Sequence, residues 1–356
     1  MTSQLKGLID RLEETRSLTR DEWLTLIQER TPDAAEYLFE RARAVRVRHY
    51  GHDIYIRGLI EFTNYCKNDC YYCGIRKSNG NALRYRLSEE DILSCCAQGY
   101  QLGFRTFVLQ GGEDGYFTDR RLSDIVSKIH TRWPDCAITL SVGERSYESY
   151  QRLYDAGANR YLLRHETYDA GHYAALHPES LSASCRQKCL WDLKEIGYQV
   201  GTGFMVGSPF QTPENLADDM LFLARLNPQM VGIGPFIPHH DTPFARYPAG
   251  TVELTIYMLG LIRLLLPKVL LPSTTALGTI AKDGRERGIL AGANVVMPNL
   301  SPSQVREKYL LYDNKLCTGD EAAESLRSLS RRMEAIGYHI TVNRGDSLNI
   351  PSGQPH

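Results

Sequence analysis

Short apolar runs alternate with amphipathic helical stretches along most of this chain, and that alternation restricts it to an α/β architecture built on parallel strands. Strand-like runs fall at 54–62, 106–109, 137–141, 160–163, 201–205, 230–234, 269–272 and 294–297. Helical patterns fill 89–102, 122–132, 147–156, 182–196, 213–226, 252–265 and 284–291. Eight such units in about 250 residues match the size of a (β/α)8 TIM barrel. An open doubly wound sheet is the alternative, but no Gly-x-Gly-x-x-Gly turn follows the first strand. Residues 51–300 are therefore expected to hold the barrel. Residues 1–50 read as N-terminal helices. Leu5, Leu8, Ile9 and Leu12 share a helical face, Leu24, Leu26 and Ile27 recur before Pro32, and a second helix follows over 34–50. Residues 301–356 read as a C-terminal helical extension packed on the barrel, with a last helix over 320–336 and a frayed tail over 349–356.

Charge and composition narrow the partners. The 41 basic and 42 acidic side chains leave a net charge of −1, so no nucleic-acid partner is expected. The most apolar stretch, 254–271, is interrupted by Arg263, Pro267 and Lys268, which suits a buried helix and strand rather than a membrane span. The first 30 residues have neither the apolar core of a signal peptide nor the acid-poor character of a transit peptide, so a soluble cytoplasmic protein is expected. Nine cysteines, an odd number in a long chain, do not form a disulfide scaffold. Cys95, Cys96, Cys136, Cys185 and Cys189 fall where packing explains them. His239-His240-Asp241 reads as a loop rather than a metal site.

Three cysteines do cluster. Cys66, Cys70 and Cys73 form Cys-x3-Cys-x2-Cys just after the first strand, at the barrel face where active sites sit. Three thiolates on one loop can hold an iron–sulfur cube and leave one iron open to an exogenous group. Structural zinc would want four closed ligands in paired Cys-x2-Cys spacing. Gln110-Gly111-Gly112-Glu113 ends the second strand. Its two glycines let the backbone approach a ligand, and Glu113 carries charge toward it. Arg160-Tyr161-Leu162-Leu163-Arg164-His165-Glu166 runs through the fourth strand to its end. Placing Arg, His and Glu there is costly unless something polar binds.

With these segments the chain resembles the radical S-adenosylmethionine superfamily, whose signature is this cysteine loop with an aromatic residue, here Tyr72, before the last cysteine. Adding 230–239, 274–279 and 292–299, it resembles FeFe-hydrogenase maturases of the HydE type over residues 40–317. The resemblance implies one 4Fe–4S cluster whose open iron chelates S-adenosylmethionine, and reductive cleavage to a 5′-deoxyadenosyl radical. It implies a small organometallic substrate, a cysteine-bound iron carbonyl–cyanide unit attacked at sulfur, during assembly of the hydrogenase two-iron subcluster. The implied partners are the other hydrogenase maturases and a reduced electron donor.

The same resemblance assigns residues. Cys66, Cys70 and Cys73 match the cluster ligands, and Tyr72 an adenine contact. Gly111, Gly112 and Glu113 match the site of the methionyl amine, Ser141 and Glu166 the ribose, and Arg186 the methionyl carboxylate. Arg160, Arg164, Thr274, Thr275, Tyr309 and Tyr312 match the substrate pocket, with Met297 facing the same cavity. Some relatives hold a second cluster on three C-terminal cysteines. Here Cys317 matches one, but Ala322, Ser325 and Ser328 stand downstream, so no second cluster is expected. Methylornithine synthase is the nearest competing reading, and Arg164-His165-Glu166 with Thr274-Thr275 favours the maturase. A biotin synthase would need further barrel cysteines, and Cys136 alone is near such a place. An iron–sulfur carrier without radical chemistry would not need the Gly-Gly-Glu segment.

Overall fold

The computed structural model describes residues 1–316 and 323–349. The first apolar run divides at Arg57 into β1 (Asp53–Ile56) and β2 (Gly58–Thr63). There follow β3 (Thr106–Gly111), β4 (Ala137–Ser141), β5 (Arg160–Leu162), β6 (Gln199–Thr202), β7 (Met205–Val206), β8 (Met230–Val231), β9 (Gly234–Pro235), β10 (Val295–Val296) and β11 (His339–Thr341). β2, β3, β4, β5, β6 and β8 pair in that order, all parallel. Single bridges complete the ring: Leu270 lies beside Met230 and Pro272 beside Val295, while β10 pairs with β1. The result is a (β/α)8 barrel. The seventh position, expected as a strand over 269–272, is only a bridged segment; Pro267 and Pro272, having no N–H, interrupt its ladder.

Side chains alternate along each strand. Phe107 and Leu109 of β3 are buried among the helices, Phe107 against Trp133, while Gln110 and Gly111 line the barrel's upper interior. The helices start where a hydroxyl can satisfy their first N–H groups. Ser88, Thr118, Ser146, Ser182, Thr212 and Thr251 all cap in this way. Each cap sets how the chain leaves a strand end and returns along the outside.

The N-terminal region forms three helices, Ser3–Thr15, Arg20–Gln28 and Pro32–Tyr50, rather than the two expected. Thr19 and Glu22 form a reciprocal capping box that restarts the chain before Pro32 is reached. Leu5, Ile9, Leu12, Trp23, Leu26 and Leu38 are buried in the same apolar cluster as the helix Val252–Leu265, which is buried from Thr255 to Leu265. Among the described residues no helix is long and apolar enough to cross a membrane. The tail beyond Asn349 and the start of the expected last helix lie outside the described residues, and a helix is present at Leu326–Ala335.

Arg160 corrects one expectation. It opens β5 at the barrel's N-terminal end, fully buried, and does not reach the pocket. Its Nη2 donates to Asp346 Oδ1 at 2.8 Å and to the Arg344 carbonyl at 2.9 Å, and its Nη1 donates to Thr106 Oγ1 at 3.1 Å. Gln199 also donates to Asp346, at 2.8 Å. β11 pairs with β1 next to this cluster, so the C-terminal segment is part of the barrel floor as well as packed upon it. Burial opposes ionisation of Asp346, but Arg160, Gln199 and Arg344 outweigh it and hold the carboxyl below the usual aspartate range. Asp346→Ala is expected to destabilise the fold by about 3 kcal/mol, because it strands a buried guanidinium. Arg160→Met in the same chain should recover much of that loss, as read by chemical denaturation. The folded-state pKa is depressed, so the wild-type advantage is present above the ordinary aspartate pKa and is lost as pH falls through the folded one.

Candidate functional site

The C-terminal ends of the strands surround a cavity of about 340 Å³. Sixteen of the seventeen residues expected at the site line it: Cys66, Cys70, Tyr72, Cys73, Gly111, Gly112, Glu113, Ser141, Arg164, Glu166, Arg186, Thr274, Thr275, Met297, Tyr309 and Tyr312. Arg160 is the exception.

The cysteine loop leaves β2 without regular structure, so its carbonyls need other partners. Arg84 supplies them. Its Nη1 donates to the carbonyls of Asn64 and Ile75, and its Nη2 to those of Arg76 and Asn79, the Ile75 bond at 2.8 Å and the Arg76 bond at 2.6 Å. The neighbouring strand end closes on the loop. Lys67 N–H donates to the Glu113 carbonyl at 2.9 Å, and Glu113 N–H reaches Cys66 Sγ at 3.4 Å. Gly112 is required there: a Cβ would stand 2.2 Å from the Tyr65 carbonyl oxygen and 2.8 Å from Cys66 Cβ. Tyr72 is held by His177, hydroxyl to Nε2 at 3.1 Å, with the rings edge to face.

Burial pushes all three thiols up, Cys73 to about 12, and each of the three is raised further by a neighbouring thiol or carboxylate. Such thiols give up their protons to a positively charged partner, and thiolate is the soft donor that iron takes. The donor set therefore fits an iron–sulfur cluster.

Beside the loop a row of charges crosses the cavity wall. Glu113 Oε1 accepts the Glu144 N–H at 2.9 Å, and its Oε2 lies 3.2 Å from Lys67 Nζ. Gly143, at φ +79°, leaves the space that Glu113 fills; a Cβ would lie 2.2 Å from its Oε1. Arg186 comes from the helix Ala183–Ile196 and turns inward, 3.2 Å from Glu144 and 3.8 Å from Glu113. Burial works against its charge, but Tyr173, Glu144, Glu113 and Tyr72 outweigh burial and raise its pKa. Glu144 was not foreseen.

Glu166 stands at φ +66°, a conformation that costs a non-glycine residue energy. Backbone bonds impose it: Glu166 N–H donates to the Gly203 carbonyl at 3.0 Å, and Met205 N–H to the Glu166 carbonyl. The strain puts its carboxylate 3.0 Å from Arg164 Nη2, at the cavity wall. The pair is near but not aligned, so Arg164 Nε and Nη2 and Glu166 Oε2 are buried without a hydrogen bond; so are Thr274 Oγ1 and Arg186 Nε and Nη1. His165, from the same motif, turns away to Thr202 and Asp219, fully buried.

Glu61 and Lys315 also line the cavity, as a buried ion pair at 2.6 Å. Asn299 donates to the other Glu61 oxygen, and Lys315 also donates to the Tyr309 carbonyl at 3.0 Å. A lone carboxylate in the run Gly58–Thr63, which holds no other charge, was the available signal for Glu61. His240, in the expected loop, meets Asp313 at 2.6 Å. Cys317 lies outside the described residues.

A model of the radical SAM superfamily matches residues 60–223. The chain is 42% identical over 332 residues to the [FeFe] hydrogenase maturase subunit HydE of Thermotoga maritima, covering 93% of this chain and 94% of that one. It is 28% identical over 338 residues to the 3-methylornithine synthase of Methanosarcina acetivorans, covering 94% of each. Among solved structures it matches methylornithine synthase (PylB) with a TM-score of 0.83 at 28% identity, over 94% of this chain and 97% of that one. HydG, another maturase of the [FeFe]-hydrogenase, shares the fold, with a TM-score of 0.81 at 19% identity over 96% of this chain and 77% of that one.

Gly112→Ala should push the Tyr65–Cys66 backbone away and lower the iron and sulfide retained after reconstitution, with far-ultraviolet circular dichroism unchanged. Wild-type iron content in this variant would show that the close approach at Gly112 is not needed to hold the cluster.

Proposed function

This chain belongs to the HydE-type FeFe-hydrogenase maturases of the radical S-adenosylmethionine superfamily, and from that premise we propose that it processes a cysteine-bound iron carbonyl–cyanide unit at its sulfur. It is a radical S-adenosylmethionine enzyme with a role in FeFe-hydrogenase maturation. The family implies a 4Fe–4S cluster and S-adenosylmethionine. When bound, the cluster supplies the electron that cleaves S-adenosylmethionine to a 5′-deoxyadenosyl radical.

In this reading Cys66, Cys70 and Cys73 hold the cluster, and Gly111, Gly112 and Glu113 accept the methionyl amine. Arg186 takes the methionyl carboxylate, with Glu113 and Glu144 fixing its direction. Tyr72 packs the adenine from the His177 side. Ser141 and Glu166 receive the ribose hydroxyls, which suits a carboxylate with an unused oxygen. Arg164, Thr274, Thr275, Tyr309, Tyr312 and Met297 form the substrate end. Other maturases and a reduced electron donor complete the proposed partners.

The observation that carries the substrate reading is the set of buried donors without a hydrogen bond at that end, Arg164 Nε, Arg164 Nη2, whose ion pair with Glu166 is misaligned, and Thr274 Oγ1. Buried donors without partners are costly, and a ligand bearing carboxylate or cyanide acceptors satisfies them. Apolar Leu59, Leu162 and Phe236 line the same cavity.

In a host that makes FeFe hydrogenase, deleting the gene should abolish hydrogenase activity and leave biotin and pyrrolysine formation intact. Retained hydrogenase activity with loss of either other product would overturn the reading. Arg164→Ala removes a charged donor worth about 1.5–3 kcal/mol. It should lower maturation roughly ten- to a hundredfold while S-adenosylmethionine binds as before. An equal loss of S-adenosylmethionine binding would move Arg164 to the cofactor half of the cavity.

A further inference from the structure

We propose that Cys185, Cys189 and Glu144 form a binding site for one thiophilic divalent cation, of the zinc(II) type, behind Arg186. Three observations combine. Cys185 and Cys189 are one turn apart on the helix Ala183–Ile196, so both thiols lie on one face. Glu144 reaches that face from the loop after β4, and Cys185 Sγ stands 3.4 Å from its Oε2. The two sulfurs and a carboxylate oxygen all lie within 4.8 Å of one another. In a tetrahedral site with zinc–sulfur bonds of about 2.3 Å, two sulfur ligands sit about 3.8 Å apart. From separations within 4.8 Å, a contraction of at most about 1 Å brings the two sulfurs to that spacing.

Packing does not account for Cys185. Cys95, Cys96, Cys136 and Cys189 are buried, but Cys185 is exposed. The sulfurs have loose contacts: Cys189 Sγ lies 3.9 Å from the Arg145 carbonyl, and Cys185 leans on Glu144 at hydrogen-bond length for sulfur. Burial first, then Glu144, pushes the Cys185 thiol up to about 11, so the protons are held until a cation displaces them.

Charge also balances. Two thiolates and a carboxylate leave −1 around a divalent ion, and the guanidinium of Arg186 stands 3.2 Å from Glu144 Oε1 to offset it. Glu144 divides its oxygens, Oε1 toward Arg186 and Oε2 toward the sulfurs. The exposed side at Cys185 leaves the fourth position to water. Binding releases thiol protons and transfers no electrons. None of the three donors belongs to the Cys66, Cys70 and Cys73 set.

The test uses the reconstituted holoenzyme titrated anaerobically with zinc chloride, with alkylation of Cys185 by iodoacetamide read by mass spectrometry. Cluster absorbance and zinc content after desalting are followed together. Zinc should slow Cys185 alkylation and remain at one ion per chain with the cluster absorbance intact. Cys189→Ala and Glu144→Gln should each weaken this protection about tenfold or more. Cys185→Ser should retain no such ion. Unchanged alkylation in the presence of zinc, equal protection in Cys189→Ala, or zinc uptake only at the expense of the cluster would each overturn the site.

Discussion

Arg84 makes the cysteine loop possible. A loop with three ligands and no regular structure has more backbone acceptors than it can pair within itself. One guanidinium takes the carbonyls of Asn64, Ile75, Arg76 and Asn79 and so draws both ends of the loop to one point. Only then do the thiols converge, and only then can Gly112 lie against Tyr65 and Cys66 without collision. The Glu113 backbone is fastened to Lys67 and Cys66, so the acidic side of the cavity inherits its position from the same loop. A lysine at 84 would carry the charge but not the planar fork that spans four acceptors.

The cavity keeps its charges in mixed groups. Glu113 and Glu144 surround Arg186, Arg164 faces Glu166, and Lys315 faces Glu61. Each acid is held by a base, so no bare charge is buried. The pairs differ in alignment. Lys315 and Glu61 are hydrogen-bonded, whereas Arg164 and Glu166 are close but misdirected. The first pair is fully hydrogen-bonded; the second leaves polar atoms without hydrogen bonds, beside the strained backbone at Glu166.

Much of this was legible in the sequence, for reasons of spacing. Eight alternations predicted the barrel, and the Cys-x3-Cys-x2-Cys loop at the end of the first strand located the cavity. What failed is equally physical. Arg160 and Arg164 were placed together in the substrate pocket by the resemblance alone. Extended chain from the start of β5 to beyond its end separates them by about 13 Å, which carries Arg160 from the cavity to the floor. Arg186 was reachable only through the resemblance, because a helix position alone does not say whether an arginine points inward or to water. The Glu61–Lys315 pair joins the first strand to the far end of the chain, a contact no local pattern encodes. Cys185 was assigned to packing on helical periodicity, and its exposure reverses that.

The floor of the barrel carries a consequence for biogenesis. β1 lies near the start of the barrel and β11 near the end of the chain, yet they are neighbours, and Asp346 neutralises Arg160 only once that end arrives. During synthesis the thiol-bearing loop emerges well before β10, which closes the ring against β1, and before β11, which pairs on the other side of β1. Contacts of such long separation form slowly. The thiol-bearing loop is therefore made well before the contacts that enclose it can form.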